Sequence, residues 1–463
     1  MGFVVSIILA RLLEPSDFGT VAMVMAIVGI AGIFGDVGLG SALIQRRRVM
    51  PIHYSSVFYF NIIVGFFLTL ITFSIAPYIG GFYNNMELVT IAQVLSFSFI
   101  IGAFSSLQNT KLRKELNYAL LTKLQVVSSA VSGILGISMA FYGAGAWSLV
   151  AQSLVQGIIY NLMIWTVSQW KPKAEFSLRA LKQLWAFGFR MFLSSLLDTI
   201  FGRLDTIIIG KLFTPATLGY FNRAKALDQL VISYSSSSLL SVLFPLLSKV
   251  KNDLPRFRSI VKKAFGLILF VTFFLVGELY LVSHEVIVLL FGEKWLQSVE
   301  YFKILALAGF GYPVSALLVN IISSRGNSKV FLRLEIFKKI LFGGNLSIGF
   351  IWGVEGYLYG LIIVMFLAVY MNIYFASKEI DMSQAEFIVP VVIQAMLTAL
   401  IVMVFVFINK GLGLPLFFML LIKGGEFAVA YFLINKILNT YAHRFFWDEA
   451  KPIVLKLFNR VKR

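Results

Sequence analysis

The first residues in this chain that could do chemistry are charges set in strongly apolar surroundings. Arg190, Asp198, Arg203 and Asp205 lie inside an apolar run at 187–212, and Lys211, Arg223, Lys225 and Asp228 follow around the turn into the next run. At 100° per residue, Arg190, Asp198 and Asp205 fall within about 80° of one another, a single helix face, while Arg203 points elsewhere. A charge facing lipid at the centre of a span costs about 3 kcal/mol, so such residues pair with one another or line a cavity. Pairing alone would fix the helix register. A cavity wall with spare cations would bind an anion, and so many charges on one helix favour the cavity. Lys338 and Lys339 sit near the middle of a run at 330–352, behind Arg333 and Glu335. Either they snorkel to the surface or they belong to the site. Glu278 reads as a helix-end residue near Tyr280 and His284 rather than a proton-titrating carboxylate.

The remaining inventory argues against an enzyme. His53, His284 and His443 are isolated, and none has metal-ligand spacing. There is no cysteine, hence no disulfide or thiolate chemistry, and the redox compartment leaves no mark. Gly35-Asp36-Val37-Gly38-Leu39-Gly40 is a faint echo of a phosphate loop, but no β-α-β unit surrounds it. Gly29, Gly32, Gly35 and Gly38 recur at every third position and read as small residues for close helix packing. A non-enzyme with no metal and no cofactor is expected.

Composition places these residues in a membrane. The chain is 59% hydrophobic with a mean hydropathy of +0.86, against about 45–50% apolar residues in a soluble domain. The formal charge of +18 could suggest nucleic acid, but no soluble basic domain exists to carry it, and cations orient membrane spans. Nucleic acid is excluded as a partner.

Fourteen apolar runs hold the charges in place. They cover 1–13, 20–34, 57–78, 88–107, 119–142 and 147–167, then, after a polar connection, 187–212, 224–247, 265–282, 302–322, 330–352, 357–375, 387–408 and 414–434. The first is too short, since 13 residues of helix cover only about 20 Å of a roughly 30 Å hydrocarbon core. A first helix that begins before Met1 is the expectation. Met1-Gly2-Phe3 lacks a signal peptide's basic start, and the match of Gly2 to Ser6 with a myristoylation pattern reads as chance.

Residues 7–19 return in register as 207–219, with Arg11 matched by Lys211, Pro15 by Pro215 and Gly19 by Gly219. So long a period means a duplicated half-molecule, the way transporters build a central site. Six runs separate the copies, so the halves are parallel repeats about an axis normal to the membrane. Lys and Arg concentrate in alternate connections, at Arg46-Arg47-Arg48, Lys111/Arg113/Lys114, Lys171/Lys173/Arg179/Lys182, 249–263, Arg325/Lys329/Arg333 and the C-terminal tail. The other side holds little beyond Arg11, Lys211, Lys294 and Lys410, which puts both termini in the cytoplasm. The tail at 441–463 alternates Phe445, Phe446, Trp447, Ile453, Leu457 and Phe458 with cations. It reads as a basic amphipathic helix on the anionic leaflet or as a plain positive-inside tail.

Ala10-Arg11-Leu12-Leu13-Glu14-Pro15-Ser16-Asp17-Phe18-Gly19 and Asp36-Val37-Gly38-Leu39-Gly40-Ser41-Ala42-Leu43-Ile44-Gln45 resemble the opening of Wzx-like polysaccharide flippases. Leu204-Asp205-Thr206-Ile207-Ile208-Ile209-Gly210-Lys211 and Leu290-Phe291-Gly292-Glu293-Lys294-Trp295 are similar to the family's second-half motifs, and the likeness covers essentially the whole chain. The resemblance implies the multidrug/oligosaccharidyl-lipid/polysaccharide exporter superfamily. Its fold is all-α, with fourteen helices in two six-helix lobes around a central cavity and two more at the C-terminus. The expected divisions are 1–168 and 183–375 for the lobes, 169–182 for a cytoplasmic linker, 386–435 for the two extra helices and 436–463 for the basic tail.

The implied activity moves undecaprenyl-diphosphate-linked oligosaccharide from the cytoplasmic to the periplasmic leaflet of a bacterial inner membrane, by rocking the lobes around a cationic cavity. The expected partners are that lipid-linked substrate, membrane lipids, and the polysaccharide polymerase and chain-length machinery; the protein itself is expected to be a monomer. A diphosphate-sugar head must leave water, and a cationic cavity offsets that desolvation. Arg11, Arg203, Lys211 and Arg223 are then the candidates for phosphate contact. Asp36, Asp198 and Asp205 would position those cations or bond sugar hydroxyls, with Arg190, Lys338 and Lys339 completing the set. A drug or cation antiporter of the same superfamily would want an acidic cavity. A polymerase or acyltransferase would need a large outer loop or a buried His–carboxylate pair.

Overall fold

The computed structural model describes residues 2–447 apart from Gln169 and Leu412; for 231–242, Ser328 and Phe350 it describes the backbone only. Among the described residues every regular element is a helix. One compact unit, up to Asn222, contains α1 (Gly2–Leu12), α2 (Pro15–Gly32), a 3-10 turn (Ile33–Gly35), α3 (Leu39–Gln45), α4 (Pro51–Tyr83), α5 (Glu87–Lys114), α6 (Tyr118–Phe141), α7 (Ala146–Val167), α8 (Leu178–Leu212) and the start of α9 (Pro215–Lys249). A second unit, from Arg223, contains the rest of α9, then α10 (Leu254–Leu281), α11 (Ser283–Phe291), a 3-10 turn (Glu293–Trp295), α12 (Leu296–Gly309), α13 (Gly311–Ser324), α14 (Ser328–Glu379), α15 (Ala385–Ile408) and α16 (Leu416–Ile437).

This is an all-α, multi-pass membrane protein. Ten stretches of helix among the described residues are long and apolar enough to cross a membrane. The other four apolar runs lie on α1, which has 11 residues, and on the charge-bearing α8, α9 and first half of α14. The run at 302–322 proves to be two helices, α12 and α13, that meet at Phe310.

Polar residues in the connections start the helices by satisfying backbone N–H groups that have no partner inside the helix. Asn117 accepts from Leu120 N at 3.3 Å, Ser177 from Ala180 N at 3.3 Å, Asp253 from Arg256 N at 3.1 Å and Asn327 from Val330 N at 3.3 Å. The two copies of the repeat share one start. Pro15 opens α2 after Glu14, whose N–H is accepted by Asp17 at 2.9 Å; Pro215 opens α9 after Thr214, whose hydroxyl accepts from Thr217 N at 3.2 Å.

At 52 residues α14 joins two runs, and Gly353 at φ 77° is where they part. In a straight helix Asn345 and Tyr357 would stand about 18 Å apart, yet Asn345 Nδ2 donates to the Tyr357 carbonyl at 3.0 Å. The chain therefore folds back on itself there, as the gap between 352 and 357 anticipates. A left-handed residue without Cβ makes the corner possible.

Within the second unit, Phe257, Phe265, Phe270, Phe387, Phe427 and Tyr431 form a fully buried aromatic core. Tyr431 Oη accepts from Gln394 at 2.6 Å and donates to the Phe270 carbonyl at 2.8 Å, which knits α15 and α16 to α10. The start of the tail joins this core. Phe446 stacks on Phe270 with centroids 4.4 Å apart, and Tyr441 Oη donates to the Lys262 carbonyl at 3.0 Å. Residues 448–463, most of the expected amphipathic tail, lie outside the described residues.

Candidate functional site

Arg203 and Arg190 are exposed on α8 and make no ion pair among the described residues. Arg203 lies along α2: a Cβ built on Gly29 would stand 3.4 Å from its guanidinium carbon. Asp198 is exposed on the same helix, whereas Asp205, which shares its face by angle, is buried and accepts from Thr206 N at 2.6 Å and from the Thr206 hydroxyl at 3.2 Å. Asp205 sits where the end of α8 is packed, so burial rather than angle separates it from Arg190 and Asp198.

The other predicted residues occupy distinct settings. Arg11 and Lys211 end α1 and α8, as cations favoured by the helix dipole. Arg11 is exposed, while Lys211 donates to the Phe82 carbonyl and lies 5.1 Å over the Phe82 ring, anchoring the end of α8 to α4. In the second unit Arg223 is buried, its guanidinium 4.7 Å from the centroid of Phe291 and 5.0 Å from that of Trp295. Asp228, also buried, lies beside Gly309. Lys338 pairs with Glu335 on the preceding turn of α14, and Lys339 is half-buried. Glu278 lies against Gly424 of α16, with one carboxyl oxygen buried and without a hydrogen-bond partner.

Asp36 is a hub between three helices. Both of its oxygens accept from Gly40 N, at 3.1 and 3.0 Å, so the carboxylate caps the short α3. Asn61 of α4 donates to it at 3.3 Å and to Ser106 of α5 at 3.1 Å. Burial holds the Asp36 carboxyl above the usual carboxylate range, against the opposing pull of Gly40 N–H, Asn61 and Arg113.

The four-glycine series divides by function. Gly38, at φ 72°, touches Gly188 of α8: a Cβ there would come within 2.1 Å of the Gly188 carbonyl oxygen. Gly29 carries Arg203, Gly32 faces Phe99, and Gly35 meets open space. The repeated motif is also its own partner. A Cβ on Gly19 would lie 1.7 Å from the Pro215 carbonyl oxygen, and one on Gly219 would lie 1.9 Å from that of Pro15. This exchange of contacts is what a local two-fold produces.

Charge in the apolar runs points to neither of two further sets of residues. Phe291, which ends α11, and Trp295, in the 3-10 turn after Gly292, form the aromatic pair that holds Arg223; the motif at 290–295 was the available clue. Uncharged Ser, Gln and Asn side chains on α5, α6 and α7 line a pocket of about 300 Å³ inside the first unit.

Comparison with known proteins follows the fold. Residues 8–300 match the profile of the family described as "Polysaccharide biosynthesis protein", and the chain belongs to that family. It is 30% identical over 289 residues to the teichuronic acid biosynthesis protein TuaB of Bacillus subtilis, a stretch covering 60% of this chain and 58% of TuaB. It is 22% identical to the lipopolysaccharide biosynthesis protein WzxC of Escherichia coli, over 75% of this chain and 71% of WzxC. The lipid II flippase MurJ in an inward closed conformation shares the fold, with a TM-score of 0.74 at 14% identity over 94% of this chain and 96% of MurJ.

Proposed function

We propose that the chain is a flippase that moves undecaprenyl-diphosphate-linked oligosaccharide from the cytoplasmic to the periplasmic leaflet of a bacterial inner membrane, for surface polysaccharide assembly. Family membership and the names of TuaB, WzxC and MurJ support the class. The observation that carries the chemistry is Arg203, an exposed guanidinium on a predicted span, unpaired among the described residues and laid along α2 where Gly29 offers no side chain. A planar fork held open in this way suits phosphate oxygens, and a diphosphate that leaves water requires such a partner.

Alternating access between lobes at 1–168 and 183–375 is the proposed mechanism, and the reciprocal crossing of Pro15–Gly19 with Pro215–Gly219 supports a two-fold relation. Both termini are cytoplasmic in this reading. The protein acts as a monomer and hands its product to the polymerase and chain-length machinery.

Rescue of a strain lacking its polysaccharide flippase tests the reading. The wild-type chain restores surface polysaccharide, and Arg203→Ala does not although it reaches the membrane in normal amount. Failure of the wild-type chain in strains that make teichuronic acid, O-antigen and exopolysaccharide would overturn it.

A further inference from the structure

The pocket between α5, α6 and α7 is polar and uncharged, although each of these helices is apolar enough to cross a membrane. Its polar lining comes from Ser98 and Ser105 on α5, Gln125 on α6, and Ser153, Gln156 and Asn161 on α7. Asn161 Nδ2 is committed to the carbonyls of Ile101 at 2.7 Å and Gly157 at 2.9 Å, while its Oδ1 is buried with no hydrogen-bond partner. Ser105 and Gly102 precede the basic end of α5 at Lys114 by about 13–18 Å of helix, which sets the pocket in the half of the membrane nearest the cationic connections.

The lining selects its ligand. No lining residue is charged, so a phosphate, a carboxylate or an organic cation would find no ion-pairing partner in the lining itself. An acyl chain gains nothing from seven hydroxyl and amide side chains, Tyr160 among them. A dehydrated metal ion needs oxygens at about 2.0–2.6 Å on all sides, and about 300 Å³ is far too wide for that. What remains is a neutral, hydroxyl-rich molecule of drug size or less. Amide and hydroxyl groups offer such a ligand both donors and acceptors, and Ile101, Leu154 and the bare backbone at Gly102 and Gly157 offer an apolar strip to the face of a ring.

We propose that this pocket binds a neutral sugar ring of the lipid-linked glycan, separately from Arg203, the proposed partner of its diphosphate. The proposal rests on the flippase reading. It gives the protein a means of distinguishing a glycosylated lipid from bare undecaprenyl diphosphate on the side where the substrate is loaded.

Gly102 provides the test, because a Cβ there meets nothing within 4 Å; Gly102→Leu adds an apolar side chain to the pocket wall. Binding to the purified wild-type chain, Gly102→Leu, Gln156→Ala and Arg203→Ala would be measured by native mass spectrometry. The probes are undecaprenyl diphosphate alone and the same lipid bearing one glucose, galactose or N-acetylglucosamine. The wild-type chain should bind at least one glycosylated form about tenfold more tightly than the bare lipid, the effect of one or two good hydrogen bonds. Gly102→Leu and Gln156→Ala should lose that preference and keep bare-lipid affinity, while Arg203→Ala should weaken all four probes alike. A preference that survives both pocket variants, or a wild-type chain that binds the four probes equally, overturns the proposal and leaves the flippase reading standing. A wild-type chain that binds none of them overturns both.

Discussion

Arg203 and Arg223 carry the same charge on successive helices, and their surroundings give them different work. Arg203 is exposed beside Gly29, whereas Arg223 is buried over Phe291 and Trp295. Desolvated cation–π contacts contribute roughly 2 kcal/mol each, so Arg223→Ala should lower membrane accumulation and detergent melting temperature, and Arg223→Lys should recover only part. Arg203→Ala should leave both unchanged. Equal accumulation of the Arg203→Ala and Arg223→Ala proteins would show that the aromatic pair holds nothing essential. Asp36 makes a second prediction. Its buried carboxyl keeps its proton to a higher pH in the folded protein than in the unfolded chain, so stability falls as pH rises from the ordinary carboxylate range through the folded value. Asp36→Asn should flatten that decline in melting curves taken from about pH 4 to pH 7; an unchanged slope would place the sensitivity on another group. At this scale the sequence was legible where charge stood out in apolar runs. It was silent about the uncharged pocket, because single Ser, Gln and Asn residues in a span read equally well as helix-to-helix hydrogen bonds.

Among the elements, the repeated turn at Pro15–Gly19 and Pro215–Gly219 has the strictest demand on sequence. Each glycine faces a carbonyl of the other copy too closely for any Cβ. Gly19→Ala and Gly219→Ala should each cost several-fold in accumulated protein and in export, whereas Gly81→Ala, where a Cβ meets nothing within 4 Å, should be neutral. Immunoblots of membranes read the first quantity and surface polysaccharide the second; wild-type behaviour of both motif variants would mean that the crossing can be relaxed without loss. The recurrence of residues 7–19 at 207–219 was visible in the sequence, but the contact between the copies was not, since it depends on how α2 and α9 cross. The break at Gly353 was legible for a local reason, two apolar runs parted by Gly353-Val354-Glu355-Gly356. The joint between α12 and α13 was not, because Gly309-Phe310-Gly311 leaves the apolar pattern unbroken on both sides.

For the whole molecule, composition and helical period are enough to establish an all-α membrane protein, and the cation asymmetry is the basis of the direction proposed for it. With Arg46-Arg47-Arg48 cytoplasmic, Asn84→Cys should react with an impermeant thiol reagent in intact cells and Met50→Cys should not; the native chain has no cysteine to confuse the readout. The reverse pattern would invert the topology. As proposed, this chain moves a diphosphate-linked glycan across a bilayer with Arg203 as a phosphate partner. The most direct test is translocation of undecaprenyl-diphosphate-linked oligosaccharide in liposomes that contain the purified chain. The wild-type chain should transfer it between leaflets, Arg203→Ala reconstituted to the same level should not, and Arg203→Lys, which keeps the charge without the planar fork, should recover part. Transfer by Arg203→Ala at the wild-type rate, or none by the wild-type chain, would contradict the proposal.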